Sequence, residues 1–197
     1  MSERAPTTAD LERTVERIAA VLGDDGRLIG GLAVAAWGYV RGTDDVDFLT
    51  RRDPAILKKQ LAAEGIRCRI RRGDPTEGDP DWVIQGTLSG VRFDILPPLV
   101  PVDWERPLVL HLGGNAEIRV VDVRGLVRLK LRAHGPQDLM DTAALVLRHP
   151  ELAGEALETA ESYAVRDLLE RWLADDRLAA EIEHQRGVDG DGRYDSG

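Results

Sequence analysis

The segment 28–50 (LIGGLAVAAWGYVRGTDDVDFLT) constrains the fold of this chain more than any other part of the sequence. A short apolar run predicts a strand, and Gly30 and Gly31 then predict a tight turn into an alanine-rich helix that lasts to about Val40. Alternating acidic and apolar residues predict a second strand over 45–50. A strand, a glycine turn, a helix and a further strand in close succession are typical of α/β proteins.

Two features of this segment point to phosphate chemistry. The start of a helix at Gly30 and Gly31 leaves backbone N–H groups free to bind an anion, and glycine lets a ligand approach closely. On the second strand, the period of two places Asp45 and Asp47 on the same face. Neighbouring carboxylates repel each other unless a cation compensates them, and hard oxygen ligands of this kind suit Mg²⁺.

A third acidic residue lies on a later predicted strand, 91–96, where Asp94 alternates with apolar residues. If this strand lies beside the first, three aspartates converge, which is enough to hold two metal ions about 3.5–4 Å apart. Plainer interpretations exist for each element. The two glycines can form an ordinary turn, Asp45 and Asp47 can lie on an exposed strand face, and Asp94 can be a solvated hairpin residue.

The Asp-x-Asp spacing is weak information by itself because it occurs three times in the chain. The pair Asp79/Asp81 falls in a predicted loop and the pair Asp189/Asp191 in the predicted tail. Only the pair at 45 and 47 lies on a predicted strand after a glycine turn and a helix. The context of the motif, and not the motif alone, therefore favours a metal site.

The remaining pattern predicts an α/β part over 1–122, a helical region over 123–186 and a disordered tail over 187–197. Thr7 and Asp10 predict a capping box before a first helix. The other predicted strands are 27–29, 66–71, 82–88, 108–112 and 116–121, with hairpin turns at Ser89-Gly90 and Gly113-Gly114. The other predicted helices are 8–22, Asp53 to Gly65, Val123 to about His134, 138–148, and one or two helices over 151–185.

Composition excludes several classes of protein. The chain carries 26 basic and 35 acidic residues, a net charge of −9, which disfavours a nucleic-acid binder that relies on overall basicity. Cys68 is the single cysteine, so no disulfide framework and no multi-thiolate metal site can form. No apolar run approaches the length of a membrane span, and no apolar signal region follows Met1, so we expect a cytoplasmic protein.

The glycine pair, the Arg41-x-Thr43 pattern, the Asp-Val-Asp-Phe strand and Asp94 together resemble the nucleotidyltransferase superfamily with the DNA polymerase beta-like fold. Within it the chain is most similar to AbiEii-type abortive-infection toxins and related bacterial nucleotidyltransferases. The segment LVRLKLRAHGPQDLMD is similar to a lysine- and aspartate-bearing region of those proteins. The resemblance implies a nucleotidyltransferase-like mixed β-sheet flanked by helices, with a C-terminal helical region. Many members of the superfamily have Gly-Ser where this chain has Gly30-Gly31.

The resemblance also implies a role for each matched residue. Asp45 and Asp47 would bind Mg²⁺ or Mn²⁺, and Asp94 would complete the metal site and act as general base. Gly30 and Gly31 would line the triphosphate of an NTP.

Three further residues would support the same site. Arg41 and Thr43 would shape the turn into the acidic strand, with Thr43 close to the phosphates. Lys130 would act in catalysis by reaching the triphosphate, or would pair with Asp138 or Asp141.

Structural interpretations of these residues also stand. Arg41 can pair with Asp44 or Asp45 at the end of its helix, Lys130 can be a solvated residue on an amphipathic helix, and Asp138 can be a helix N-cap. The basic strand that begins at Ile66 (IRCRIRR) is either a solvated strand face or a path for RNA or a nucleotide tail.

These patterns predict an enzyme that moves an NMP from an NTP to an acceptor and releases pyrophosphate. The acceptor could be tRNA or another RNA, a protein or a small molecule, and the resemblance to toxins implies an antitoxin protein as a partner. No membrane partner is expected. The alternative is a catalytically inactive member of the fold that works as a binding or regulatory protein.

Overall fold

The computed structural model describes residues 6–74, 76, 78–112 and 116–191. The chain divides into two units. The first consists of Met1–Ala33 and Gly42–Asp122, and the second of Val34–Arg41 and Val123–Gly197. The predicted hairpin turn at Gly113-Gly114 lies outside the described residues, although the two strands that flank it are present and pair with each other.

A mixed sheet with the strand order β3-β4-β5-β2-β1-β7-β6 is the centre of the first unit. Strand β1 pairs in parallel with β7 and β2 in parallel with β5, whereas the remaining neighbours are antiparallel. The predicted α/β class is therefore confirmed. The strands are β1 (Gly26–Ile29), β2 (Asp45–Thr50), β3 (Cys68–Arg72), β4 (Trp82–Leu88), β5 (Val91–Leu96), β6 (Leu108–Leu110) and β7 (Ile118–Val120).

Helices α1 (Thr8–Leu22) and α3 (Pro54–Ala63) pack on this sheet. The predicted capping box of α1 is confirmed, because Thr7 and Asp10 each accept a hydrogen bond from the other's backbone N–H. At the start of α3, Asp53 accepts the N–H groups of the two residues after Pro54. The core of the unit lies between these helices and alternate strand residues. Its fully buried side chains include Ile18, Leu22, Phe48, Leu57, Leu61, Ile84, Phe93 and Ile95.

The turn between β4 and β5 fixes which residues of these strands lie opposite each other. Ser89 and Gly90 both have positive φ, +53° and +83°. Positive φ at both central residues is typical of the tight type I′ hairpin turn. Leu88 and Val91 therefore pair directly, and the register continues from them along both strands.

The second helix is shorter than predicted. Helix α2 (Gly30–Ala36) ends well before Val40. Gly38, just beyond its end, has a φ of +96°, and Arg148 Nε donates to its carbonyl oxygen at 2.6 Å. The helix therefore ends at a glycine in the left-handed conformation, with the Tyr39 N–H donating back to the Val34 carbonyl oxygen.

Helices make up most of the second unit. They are α4 (Val123–Ala133), α5 (Pro136–Arg148), α6 (Ala153–Ser162), α7 (Arg166–Leu173) and α8 (Asp176–Asp191). Helix α5 begins earlier than predicted, with Gly135 as its N-cap. Pro136 favours this start because proline suits the first helical position.

The predicted disordered tail over 187–197 is only partly within the described residues. Helix α8 continues through 187–191, and residues 192–197 lie outside the described part of the chain. None of the described helices is both long and apolar enough to cross a membrane.

Candidate active site

Strand β2 presents two carboxylates on one face of the sheet. Asp45 and Asp47 are half-buried, whereas Val46 and Phe48 between and after them are buried in the core. This alternation is the pattern that the sequence predicts, because successive strand residues point to opposite faces. The apolar residues hold the strand in the core and leave both carboxylates on the other face.

Strand β5 brings the third aspartate to the same place. It runs parallel to β2, and Asp94 lies in register with Asp47, while Arg92 lies in register with Asp45. Neighbouring strands are about 4.8 Å apart, so the two paired aspartates are close neighbours. The expectation that β5 lies beside β2 with its acidic residue on the shared face is met.

Each end of this acidic group has a protein partner. Thr43 Oγ1 donates to Asp45 Oδ1 at 3.0 Å, and Arg92 Nη2 lies 3.6 Å from Asp45 Oδ2. Gln85 Nε2 donates to Asp94 Oδ2 at 3.2 Å. Among residues 6–74, 76, 78–112 and 116–191, no three His, Cys, Asp or Glu side chains are arranged to hold a metal ion. The metal centre at Asp45, Asp47 and Asp94 stays a prediction.

Gly30 lies against one of these carboxylates. It has a φ of +70°, and a Cβ added to it would overlap the Asp47 carboxylate. Glycine is therefore required here both by the backbone conformation and by the space that Asp47 occupies. Gly31 follows it and is buried. The predicted contact of both glycines with a triphosphate remains a prediction.

The aspartates line a cleft of about 480 Å³ on this face of the first unit. The other residues that line the cleft are partly basic and polar, and they come from β5, from β4, and from β3 with the residue before it. They include Arg67, Arg69, Gln85, Thr87 and Arg92. The cleft thus combines a group of carboxylates with a group of guanidinium groups.

Gln85 is the residue of the cleft that the sequence interpretation missed. The information was present in the hairpin, because a tight turn at Ser89 and Gly90 places Gln85 opposite Asp94 by simple counting. Alternation along β5 puts Arg92 on the same face as Asp94, but its ion pair with Asp45 depends on the pairing of β5 with β2 and cannot be seen from the sequence.

Arg41 and Lys130 belong to the second unit, where they share one buried carboxylate. Asp141, whose side chain is 0% exposed, accepts Arg41 Nε at 2.6 Å and Arg41 Nη2 at 2.7 Å. Lys130 Nζ lies 2.8 Å from Asp141 and 2.9 Å from Asp138. Gln137 adds a further hydrogen bond to Asp141 at 3.0 Å.

The electrostatics of this group favour charged side chains. Burial opposes the ionisation of Asp141, but the hydrogen bond from Arg41 and the positive charge of Lys130 outweigh it, so the pKa of Asp141 lies below its ordinary value. The hydrogen bond to Asp141 raises the pKa of Arg41.

These contacts bear on the structural interpretations of Arg41, Lys130 and Asp138. Arg41 forms an ion pair with Asp141, a buried partner that the sequence interpretation does not consider. Lys130 is buried and not solvated. Asp138 is not an N-cap: it lies at the third position of α5, where its carboxylate accepts the Gly135 N–H at 3.3 Å. The expected pairing of Lys130 with Asp138 or Asp141 occurs with both.

The solved structures that share the fold of this chain include two of the antibiotic-resistance factor ANT(2'')-Ia. The crystal structure of its complex with adenylyl-2''-tobramycin has a TM-score of 0.54 at 13% sequence identity, over 79% of this chain and 98% of that chain. The solution structure has a TM-score of 0.55 at 12% identity, over 84% of this chain and 97% of that chain. No protein-family model and no curated protein sequence matches the chain. The comparison thus rests on structure alone, and it shows that the chain has a nucleotidyltransferase-like fold.

Proposed function

We propose that this protein is a metal-dependent nucleotidyltransferase. It moves an NMP from an NTP to an acceptor: the acceptor oxygen forms a bond to the α-phosphorus, the bond to pyrophosphate breaks, and the acceptor proton passes to a base. The observation that carries the proposal is the pairing of Asp47 with Asp94 on adjacent parallel strands, with Asp45 on the same face. The fold supports it, because one solved structure that shares the fold is a complex with adenylyl-2''-tobramycin, a compound that carries an adenylyl group.

Three aspartates match a hard divalent cation in the number and the type of ligand, which favours Mg²⁺ or Mn²⁺. Among the described residues their side chains are not gathered around one point, so binding a metal requires them to move towards each other. Asp45, Asp47 and Asp94 would hold the metal. When bound, the metal neutralises phosphate charge and lowers the pKa of the attacking hydroxyl. Arg92 competes for Asp45, since its guanidinium lies 3.6 Å from that carboxylate.

The protein's own residues position the reactants. Asp94 accepts the proton of the acceptor hydroxyl, and the hydrogen bond from Gln85 orients its carboxylate. Thr43 orients Asp45 in the same way. Gly30 and Gly31 lie beside the triphosphate.

Arg41 and Lys130 belong to the second unit. The contact of Lys130 with the triphosphate is proposed from the resemblance alone, and in the structure its Nζ pairs with Asp138 and Asp141. Arg41 holds the chain that leads towards Thr43.

The test is calorimetric titration of each NTP into the wild-type protein, with Mg²⁺ and with EDTA. We expect binding that requires Mg²⁺ and is lost in the double variant Asp45→Asn, Asp47→Asn. The matched control is Asp79→Asn, Asp81→Asn, which removes the same charges at the same spacing from a loop. Unchanged binding in the first variant contradicts the site, and no binding of any NTP by the wild type favours an inactive protein.

The resemblance to AbiEii-type toxins leads us to propose further that this activity arrests growth and is controlled by an antitoxin protein. The gene beside this one tests the idea at little effort, because a small helix-turn-helix protein is expected there. Growth arrest on expression that disappears in the Asp45→Asn, Asp47→Asn variant is the direct test. Normal growth during expression of the wild type contradicts the toxin role.

A further inference from the structure

Two arginines of the cleft have no side-chain partner among the described residues. Arg67 and Arg69 are exposed, and within the described residues neither makes a hydrogen bond or an ion pair through its side chain. Arg92, the third arginine of the cleft, is 78% exposed and lies 3.6 Å from Asp45. The cleft therefore holds two uncompensated positive charges in a chain whose net charge is −9.

Strand register places one of these arginines in line with the proposed metal ligands. Arg69 lies opposite Gln85, Gln85 opposite Asp94, and Asp94 opposite Asp47. All four side chains therefore share a face, because directly paired residues point to the same side of a sheet. Two strand spacings, about 10 Å, separate Arg69 from Asp94. This leaves room for one phosphate-bearing unit between an acceptor hydroxyl at Asp94 and the guanidinium group.

The opposite end of the same row carries the glycines. Ile29 of β1 lies in register with Asp47, and Gly30 follows it directly. The glycines are therefore on the β1 side of the acidic group, and the arginines are on the β4 and β3 side. Phosphoryl transfer places the attacking and leaving oxygens roughly in line on opposite sides of phosphorus. A donor triphosphate beside Gly30 thus leaves the arginine side for the acceptor.

We propose that the acceptor carries a phosphate group close to its accepting hydroxyl, and that Arg67 and Arg69 bind this phosphate. The inference rests on the proposed nucleotidyl transfer, with the donor beside the glycines. Guanidinium groups bind phosphate oxygens through paired, charge-assisted hydrogen bonds, and they repel a polycationic acceptor. The shared chemistry is a phosphate ester beside a hydroxyl, as in a nucleic-acid strand or a free nucleotide.

The test compares two charge-matched variants of the same strand. Arg67→Gln, Arg69→Gln removes both unpartnered arginines of the cleft. Arg71→Gln, Arg72→Gln removes two positive charges from residues that do not line it. Each protein is titrated with a Mg²⁺-bound non-hydrolysable NTP analogue, with a ten-nucleotide single-stranded RNA that has a free 3′ hydroxyl, and with a nucleoside 5′-monophosphate.

We expect the first variant to bind the RNA about tenfold or more weakly, with the salt dependence of binding reduced by about 0.7 for each lost phosphate contact. Binding of the NTP analogue should stay within about twofold of the wild type, as should all binding by the control variant. If the monophosphate loses affinity to the same extent as the RNA, the acceptor is a free nucleotide. A loss confined to the RNA identifies a strand.

Three outcomes overturn the inference. If the first variant loses NTP analogue binding as strongly as RNA binding, the arginines bind the donor. If the control variant loses RNA binding equally, the effect comes from general charge. If the first variant binds RNA and the monophosphate as the wild type does, the arginines do not contact the acceptor. Failure of the proposed function is distinct, since it appears as wild-type protein that does not bind the NTP analogue.

Discussion

The buried carboxylate of Asp141 provides the sharpest test of the forces within the second unit. The substitution Asp141→Asn removes its negative charge while keeping its shape. Arg41 then loses the carboxylate that accepts two of its N–H groups, and Lys130, whose side chain is only 10% exposed, keeps its contact with Asp138. Loss of one member of a buried ion pair is costly because the remaining charge stays away from water.

The expected cost is about 3 kcal/mol, at the lower end of the range of about 3–5 kcal/mol for breaking a buried pair. Asp141 makes a bidentate contact with Arg41, at 2.6 and 2.7 Å, so both of its oxygens are committed. The lower end applies because the substituted amide keeps one oxygen that can accept a hydrogen bond. Partial exposure of Arg41, at 19%, also lets water reduce the penalty.

Urea unfolding measures this cost. Trp37 and Trp172 belong to the second unit and provide its fluorescence signal, with circular dichroism as a second probe. The control is Asp167→Asn, an exposed residue in the first turn of α7, for which we expect a change of about 0.5 kcal/mol or less. A loss of less than about 1 kcal/mol for Asp141→Asn would refute the conclusion that its charge holds both cations.

The difference in stability between the wild type and Asp141→Asn should depend on pH. The pKa of Asp141 is lower in the folded than in the unfolded protein, since Arg41 and Lys130 outweigh the effect of burial. The stabilisation is therefore fully present above the unfolded pKa, about 3.9. It is lost progressively as the pH falls below that value towards the folded pKa. The stability difference between wild type and Asp141→Asn should be constant from pH 7 to 5 and shrink below about pH 4. Shrinkage already between pH 7 and 5 would contradict the direction of the shift.

Two further substitutions test the first unit. Gly30→Ala should lower thermal stability by about 1–3 kcal/mol because its Cβ overlaps the Asp47 carboxylate, whereas Gly65→Ala, with a similar φ of +73° but no neighbour within 4 Å, should cost less. Equal melting temperatures for these two variants would contradict the close approach. Gln85→Leu should lower kcat of nucleotidyl transfer about tenfold and leave NTP affinity within about twofold, since it removes the donor that orients Asp94. Parallel losses of kcat and NTP affinity would instead indicate general damage to the cleft.

Elements with strong local signals could be predicted closely from the sequence. Strand β2 has the predicted bounds Asp45–Thr50, and β4 and β5 also have the bounds predicted for them. Each is defined by alternation or by a turn within a few residues. The same holds for α1, because the Thr7 and Asp10 side chains cap it within its own first turn. Helix α2 is shorter than predicted because the prediction passes over the glycine signal at Gly38: Gly38 has a φ of +96°, and the Tyr39 N–H donates back to the Val34 carbonyl oxygen.

In the candidate site, features with a local signal in the sequence could also be predicted, whereas long-range contacts could not. Alternation within β2 and β5 is enough to place the aspartates on one face of each strand, and the hairpin turn is enough to bring Gln85 to Asp94. The partners of the charged side chains cannot be predicted in this way, because 26 basic and 35 acidic residues allow many ion pairs of nearly equal plausibility. Arg41 illustrates the point: acidic residues lie three and four positions away in sequence, yet its partner is Asp141, 100 positions away. Only burial distinguishes that pair, since an ion pair gains enough to matter where water is excluded and neither alternative is fully buried. A sequence without its tertiary contacts therefore predicts where charges face, but not which of them meet.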